Sequence, residues 1–451
     1  MKIPGCRFAA LLCGAFSLST PALAQTQSPV HSFTLDNGLQ VLVREDHRAP
    51  IVTSQLWVHV GSSYEGPGQS GLSHALEHML YKGSSKTAPG QFQNIFGRLG
   101  AYENASTYRD STVYHQTLAA PYLSIALELT ADIFSTARLS EMEFDREIEV
   151  IKNERRFRTD SQPKQFAEER LNSIAYPSSS YRTPVIGWAA DLQRMQIDDL
   201  RAWYQAWYAP NNATLVVVGD VQPAEVKSLV QRYFGQLARK KTAPAKRPLE
   251  LNNPGMRQIH LQVDNAPANV RMSFNVPGHA TTTNVRSLNA LRLLEKMLAG
   301  GLSSRLYAQL FRADTVLLES ASSYNPFIRG DGRFIINAEP NPASKQSLET
   351  LKQRIWLIIK DIKTNPPSAQ ELERARIMIT ASLVYARDSI SGQANDLGTL
   401  ASTQLPLELL ATEMQALAEV TPEDVSLAAR TYLTEDRLSV AFTNAKVNAH
   451  E

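Results

Sequence analysis

Cysteine is nearly absent from this chain. Of 451 residues, only Cys6 and Cys13 carry a thiol, and both lie within the first 24 positions. The rest can form no disulfide, so a cross-linked small scaffold is excluded. Stability must come from buried apolar cores, for which this length has ample material. A dominant charge is lacking too: 46 Lys and Arg against 44 Asp and Glu leave a formal net charge of +2. No basic block is concentrated enough for nucleic-acid binding. Long apolar runs are missing as well. The run from Phe8 to Ser17 is too short to span a bilayer. With Lys2 and Arg7 near its start and Ala22-Leu23-Ala24 after it, this segment reads as a secretory signal over residues 1–24. Leu12 is too bulky for lipoprotein processing at Cys13. The expectation is a periplasmic protein with no membrane span.

Histidine is also scarce, at nine residues, which makes its placement informative. His74 and His78 stand four apart in GLSHALEHMLYKGS. On a helix that spacing puts both imidazoles on one face, able to point at one metal ion. Glu77 lies beside the second histidine, which is the inverted form of the common zinc-peptidase motif. Neighbours on a helix diverge by about 100°, so Glu77 cannot easily ligate together with His78. It can instead take a proton from a metal-held water as general base. Catalytic zinc usually takes three protein ligands and keeps one position for water. Glu143, Glu147, Glu149 and Glu154 in a helical stretch over 140–158 are candidates for the third, and spacing alone does not choose among them.

The remaining chain reads as an α+β protein built twice. Residues 32–60 alternate apolar and polar positions around an Asn37-Gly38 turn, as a strand hairpin does. Residues 121–137, 140–158 and 195–208 read as helices, and Ala213–Gly219 as a buried strand. Residues 236–256 are rich in Lys, Arg and Pro and read as a linker. The pattern then resumes, strand-like over 258–275 and helical over 285–298. Leu76-Glu77-His78-Met79-Leu80 matches Leu294-Glu295-Lys296-Met297-Leu298, and IDDLRAWYQAWYAPNNATLVVVGD resembles PEDVSLAARTYLTEDRLSVAFTN. This is an internal repeat. It predicts two homologous domains, 25–235 and 257–451, each a mostly antiparallel sheet packed with helices. In the second, Arg292 and Lys296 stand where the histidines stand in the first. Two cations cannot build a zinc site, so one ion per chain is expected.

With these motifs, the chain resembles the pitrilysin family of inverted zinc peptidases, to which insulin-degrading enzyme and the mitochondrial processing peptidase belong. The resemblance covers nearly all of the mature chain and is closest to the short, two-domain bacterial branch. It rests on the histidine motif, NASTYRDSTVYH, EIEVIKNERRF and GGLSSRLYAQLFR. It implies that Glu154, 76 positions beyond His78, is the third ligand and that Glu147 supports the site from behind. It implies that Asn104-Ala105-Ser106-Thr107 lies on a strand edge beside the metal, where an extended peptide can add, with Asn104 and Ala105 as substrate-binding residues. It also implies an arginine and, seven residues later, a tyrosine that hold the substrate backbone. Arg312 fills the first of these places, but Glu319 fills the second, and Tyr324 is at the wrong spacing. An ionised glutamate donates no hydrogen bond and repels an oxyanion. The expectation is a zinc metalloendopeptidase acting on peptides or unfolded segments. It would be the zinc-bearing subunit of a heterodimer whose homologous partner supplies the arginine–tyrosine pair, with a homodimer as alternative. Its two α/β-roll domains would form half of a clam-shaped chamber. The rival expectation is a non-catalytic zinc-binding or assembly subunit.

Overall fold

A computed structural model describes residues 28–242 and 246–446. The candidate signal segment lies outside the described residues, as does part of the candidate linker. Among the described residues no helix is long and apolar enough to cross a membrane.

The first half forms a six-stranded sheet. Its strands are β1 (Val30–Thr34), β2 (Gln40–Glu45), β3 (Ile51–Val58), β4 (Tyr102–Thr107), β5 (Thr112–Ala119) and β6 (Ala213–Gly219), in the order β1-β2-β6-β3-β5-β4. The second half forms a five-stranded sheet from β7 (Arg257–Val263), β8 (Asn269–Val276), β9 (Leu317–Ser323), β10 (Gly332–Pro340) and β11 (Leu438–Ala445), in the order β7-β11-β8-β10-β9. With β1 set aside, the two orders correspond strand for strand. Each sheet is antiparallel except for one parallel pair, β2 with β6 and β7 with β11. The internal repeat is therefore a repeat of topology. The helix Leu72–Leu80 carries the histidines, and its counterpart Val285–Ala299 carries Arg292 and Lys296. The strand-like stretch 258–275 is in fact two strands, β7 and β8, joined only through β11 between them.

The alternating residues 32–60 form strands as expected, and β3 is buried on both faces from Val52 to Val58. The reason lies in the second half. Its helix Ile390–Thr403 covers the outer face of the first sheet, packing Ala394 and Leu397 on Leu42, Trp57, Val113, Val216 and Val218. The alternating polar residues face that helix, not water. Gln55 Nε2 donates to Asn395 Oδ1 at 2.9 Å, and Thr117 meets Ser391 at 3.3 Å. The first half reciprocates with its helix Pro163–Ala175, which packs against β7, β8 and β11. There Glu168 pairs with Arg271 at 2.8 Å and with Arg333, and Asn275 Nδ2 donates to the Ala175 carbonyl at 2.8 Å. The two halves thus exchange corresponding helices.

This exchange brings backbone very close to side chain at Gly398, where a β-carbon would sit inside the Trp57 indole. Gly398→Val should therefore destabilise the protein by about 1–3 kcal/mol through overpacking, measured by urea or thermal denaturation. A variant as stable as the wild type contradicts this packing.

Candidate metal centre

The histidine helix begins at Gly71, whose φ of 90° is left-handed and whose missing side chain cannot cap the helix. Open N–H groups at a helix start need an acceptor. Buried Glu65 supplies it: its Oε2 accepts from Gly71 N and its Oε1 from Ser73 N, each at 2.8 Å. A β-carbon on Gly71 would press on the Ile186 carbonyl and Leu192, so the residue that cannot cap is also the one that lets the helix start pack closely. Apolar Ala75, Leu76, Met79 and Leu80 bury the opposite face. His74 and His78 are left to face the neighbouring acidic helix, Glu141–Arg155, with ring centroids 4.7 Å apart.

Glu154 Oε2 lies 3.4 Å from His78 Nε2 and 3.7 Å from His74 Nε2. One ligand atom from each of these three residues lies within 4.8 Å of the other two. Tetrahedral zinc with bonds of about 2.1 Å spaces its ligand atoms about 3.4 Å apart, so the three donors fit the ion almost as they stand. The outer contacts suit the same purpose. His78 Nδ1 meets Glu147 Oε1 at 2.8 Å, which fixes the ring and leaves Nε2 for the metal. Glu147 Oε2 is held by Lys82 at 2.6 Å, and Glu154 Oε1 by Arg158 at 2.8 Å. The buried Nδ1 of His74 has no hydrogen-bond partner among the described residues.

The electrostatics follow from burial and these neighbours. Burial, reinforced by nearby His78, pushes His74 down to about 4. Burial also opposes charge on His78, but Glu147 and Glu154 outweigh it and raise that ring to about 9. The bond to His78 holds Glu154 below the usual carboxylate range. His78 must shed its proton before it can ligate, so metal and proton compete for one position. Glu77 is not one of the three clustered ligands, but it lines the same cleft beside them. Its Oε2 accepts from Thr107 Oγ1 at 2.5 Å, and burial pushes its carboxyl above the usual range.

The cluster opens on a cleft of about 1130 Å³ whose lining residues, among those described, all fall between His74 and Ile186. One wall is β4, the edge strand of the first sheet, paired among the described residues with β5 alone. Asn104 and Ala105 line the cleft there, and the Asn104 side chain accepts from Ala105 N at 2.9 Å. Arg312 is not brought to the cleft. It lies exposed on the π-helical segment Tyr307–Ala313, stacks on Tyr307 and donates to the Leu302 carbonyl at 3.3 Å. Glu319 is exposed on edge strand β9, and Tyr324 donates to the Pro277 carbonyl at 2.7 Å. Thr107 lies on the expected strand edge beside the cluster, while Glu65, Lys82 and Arg158 are site residues that sequence reasoning missed. A helix starting at a glycine, with no residue of its own to cap it, was a legible sign that a remote acceptor such as Glu65 was needed.

The corresponding place in the second half is closed by ion pairs. Arg292 binds Glu413 at 2.6 Å, and Lys296 binds Glu295, the counterpart of Glu77, at 2.9 Å. Charges that a metal would balance in the first half are balanced here by protein cations.

Two histidines and a glutamate around a zinc-sized space, with a free carboxylate beside them in a peptide-sized cleft, define a metallopeptidase-like protein of the inverted type. Comparison with known proteins gives the family. Residues 40–187 match the model described as Insulinase (Peptidase family M16), and residues 194–379 match that of the Peptidase M16 inactive domain. The chain is 31% identical over 376 residues to the zinc protease PqqE of Helicobacter pylori, covering 82% of this chain and 83% of the relative. It is 26% identical to the mitochondrial-processing peptidase subunit beta of Bos taurus, over 81% of this chain and 74% of that one. The crystal structure of a protease from Helicobacter pylori superimposes with a TM-score of 0.87 at 27% identity, over 93% of this chain and 100% of the other. The chain belongs to peptidase family M16, the pitrilysin family.

If Glu147 fixes His78 for the metal, Glu147→Gln should weaken zinc binding on the order of 10- to 100-fold, as measured by competition with a chelating dye. An unchanged affinity would remove Glu147 from the site.

Proposed function

We propose that this protein is a periplasmic zinc metalloendopeptidase that hydrolyses peptides or unfolded segments. The observation that carries the reading is the cluster of His74, His78 and Glu154 with Glu77 beside it at the foot of the cleft. Bound there, zinc supplies a Lewis acid and lowers the pKa of its water to about 7. The residues of the chain do the rest. β4 offers a free edge on which an extended peptide can pair through its backbone, which gives affinity without strong sequence preference. Glu77 accepts the proton of the attacking water and passes it to the leaving nitrogen. Its raised carboxyl suits a group that must both take and give a proton. Export to the periplasm rests on the N-terminal signal-like segment.

The site as a whole is proposed to need a second chain. The cleft receives no lining residue from the second half among those described, and Arg312, Glu319 and Tyr324 do not face it. A homologous subunit carrying the arginine–tyrosine pair would close the chamber and complete substrate binding; a second copy of this chain is the alternative. The similarity to a mitochondrial-processing peptidase subunit, by name one part of a complex, supports this view.

The test is hydrolysis of a quenched peptide library by wild type and Glu77→Gln, each with and without chelator and a homologous second chain. Glu77→Gln should abolish turnover while zinc stays bound, and the second chain should raise wild-type activity severalfold or more. No turnover by the wild type, with or without the second chain, would favour the non-catalytic zinc-binding or assembly subunit, and equal turnover by Glu77→Gln would remove Glu77 as the base. Full activity from the lone wild-type chain would remove the two-chain part.

A further inference from the structure

Among the described residues the second half lends none to the cleft, yet one of its side chains reaches both elements that hold the histidine helix in place. Arg329 is 2% exposed. Its guanidinium lies over the Tyr64 ring at 3.9 Å. Its Nη2 donates to Ser63 Oγ at 3.1 Å and its Nε to Asp110 Oδ1 at 3.3 Å, while its backbone N donates to Asp110 Oδ2 at 3.2 Å. Its remaining contact is Nη1 to the Lys246 carbonyl at 2.9 Å. Ser63 Oγ in turn donates to Asp110 Oδ1 at 2.9 Å. Tyr181 Oη also donates to Asp110, and accepts from Gly330 N at 3.0 Å.

Each element that Arg329 grips leads directly to the metal centre. Ser63 and Tyr64 precede Glu65, whose carboxylate caps the histidine helix one residue before His74. Asp110 lies three residues after Thr107, whose hydroxyl holds Glu77. The two elements are also tied to each other, through Ser62 N to the Tyr108 carbonyl at 3.2 Å and Ser63 N to the Arg109 carbonyl at 2.8 Å. One cap sets the position of the helix along its axis; one hydroxyl sets the orientation of the base. A planar guanidinium that stacks on one element and forks to both makes them a single rigid support.

We infer that Arg329 is a positioning residue for the metal centre, through which the metal-free second half sets the geometry of the first. The inference rests on the metallopeptidase reading above and assigns that site a support from the other half of the same chain.

The experiment uses the full chain and reads zinc affinity by chelator competition, alongside the melting temperature. Arg329→Met should weaken zinc binding on the order of 3- to 30-fold, the range expected of coupling through a packed network. Arg329→Lys keeps a cation near Asp110 but loses the stacked fork, and should show the same direction of effect; it decides the matter if Arg329→Met is not recovered folded. Glu65→Gln should also weaken binding, and its effect should be less than additive with that of Arg329 because both act through one support. Leu397→Ala loosens the contact between the halves on the opposite face of the first sheet. It should lower the melting temperature and leave zinc affinity unchanged. The inference is overturned if the Arg329 variants bind zinc as tightly as wild type, or if Leu397→Ala weakens binding equally. Failure of the wild type to bind zinc at all would instead overturn the metallopeptidase reading.

Discussion

Three ligand atoms from two helices must meet within about 3.5 Å to hold zinc, and much of the first half is arranged to meet that demand. Bringing two imidazoles and a carboxylate out of water is unfavourable unless each is paired or shares a cation. Here Glu147 takes the back of one imidazole, Lys82 takes Glu147, and Arg158 takes the spare oxygen of Glu154. The histidine helix cannot slide without breaking the Glu65 cap, and Glu77 cannot turn without losing Thr107. The site is therefore rigid because its polar groups have few other arrangements, and the fold supplies the elements that enforce this.

The duplication shows the same constraint answered another way. The second half keeps the strand order, the helix and even the glutamate, but puts Arg292 and Lys296 where ligands would be. Each cation finds an acid, Glu413 or Glu295, so the buried charges are balanced within the protein. What this half retains is structural. It covers the first sheet with its helix Ile390–Thr403 and receives the helix Pro163–Ala175 in return.

Local features of the sequence were the most legible. The spacing of His74, Glu77 and His78 predicted their shared face, and LEHML against LEKML with the matching chain ends predicted the repeat. The strand Ala213–Gly219 was readable because it is a short, continuously apolar run, as a central strand buried on both sides must be. Partners distant in sequence were not readable in this way. Nothing local distinguishes Glu154 from Glu149 on the acidic helix; resemblance to a family singled it out, and the fold brings it to the histidines. That β3 is covered on both faces was not legible, because the covering helix comes from more than 300 residues away in the chain. Arg312 occupied a motif position, yet its side chain lies outside the cleft. Thr107 was placed on the edge beside the metal, but its bond to Glu77 was not legible because it depends on which helix packs above the strand.

The central claim is that the first half holds one zinc ion and the second none. Anomalous diffraction at the zinc edge, from crystals of the chain grown with zinc, tests it most directly. The account predicts a single peak bonded to His74 Nε2, His78 Nε2 and Glu154, with no peak beside Arg292 and Lys296. A zinc peak away from the His74–His78–Glu154 cluster, or an empty cluster at saturating zinc, would contradict it.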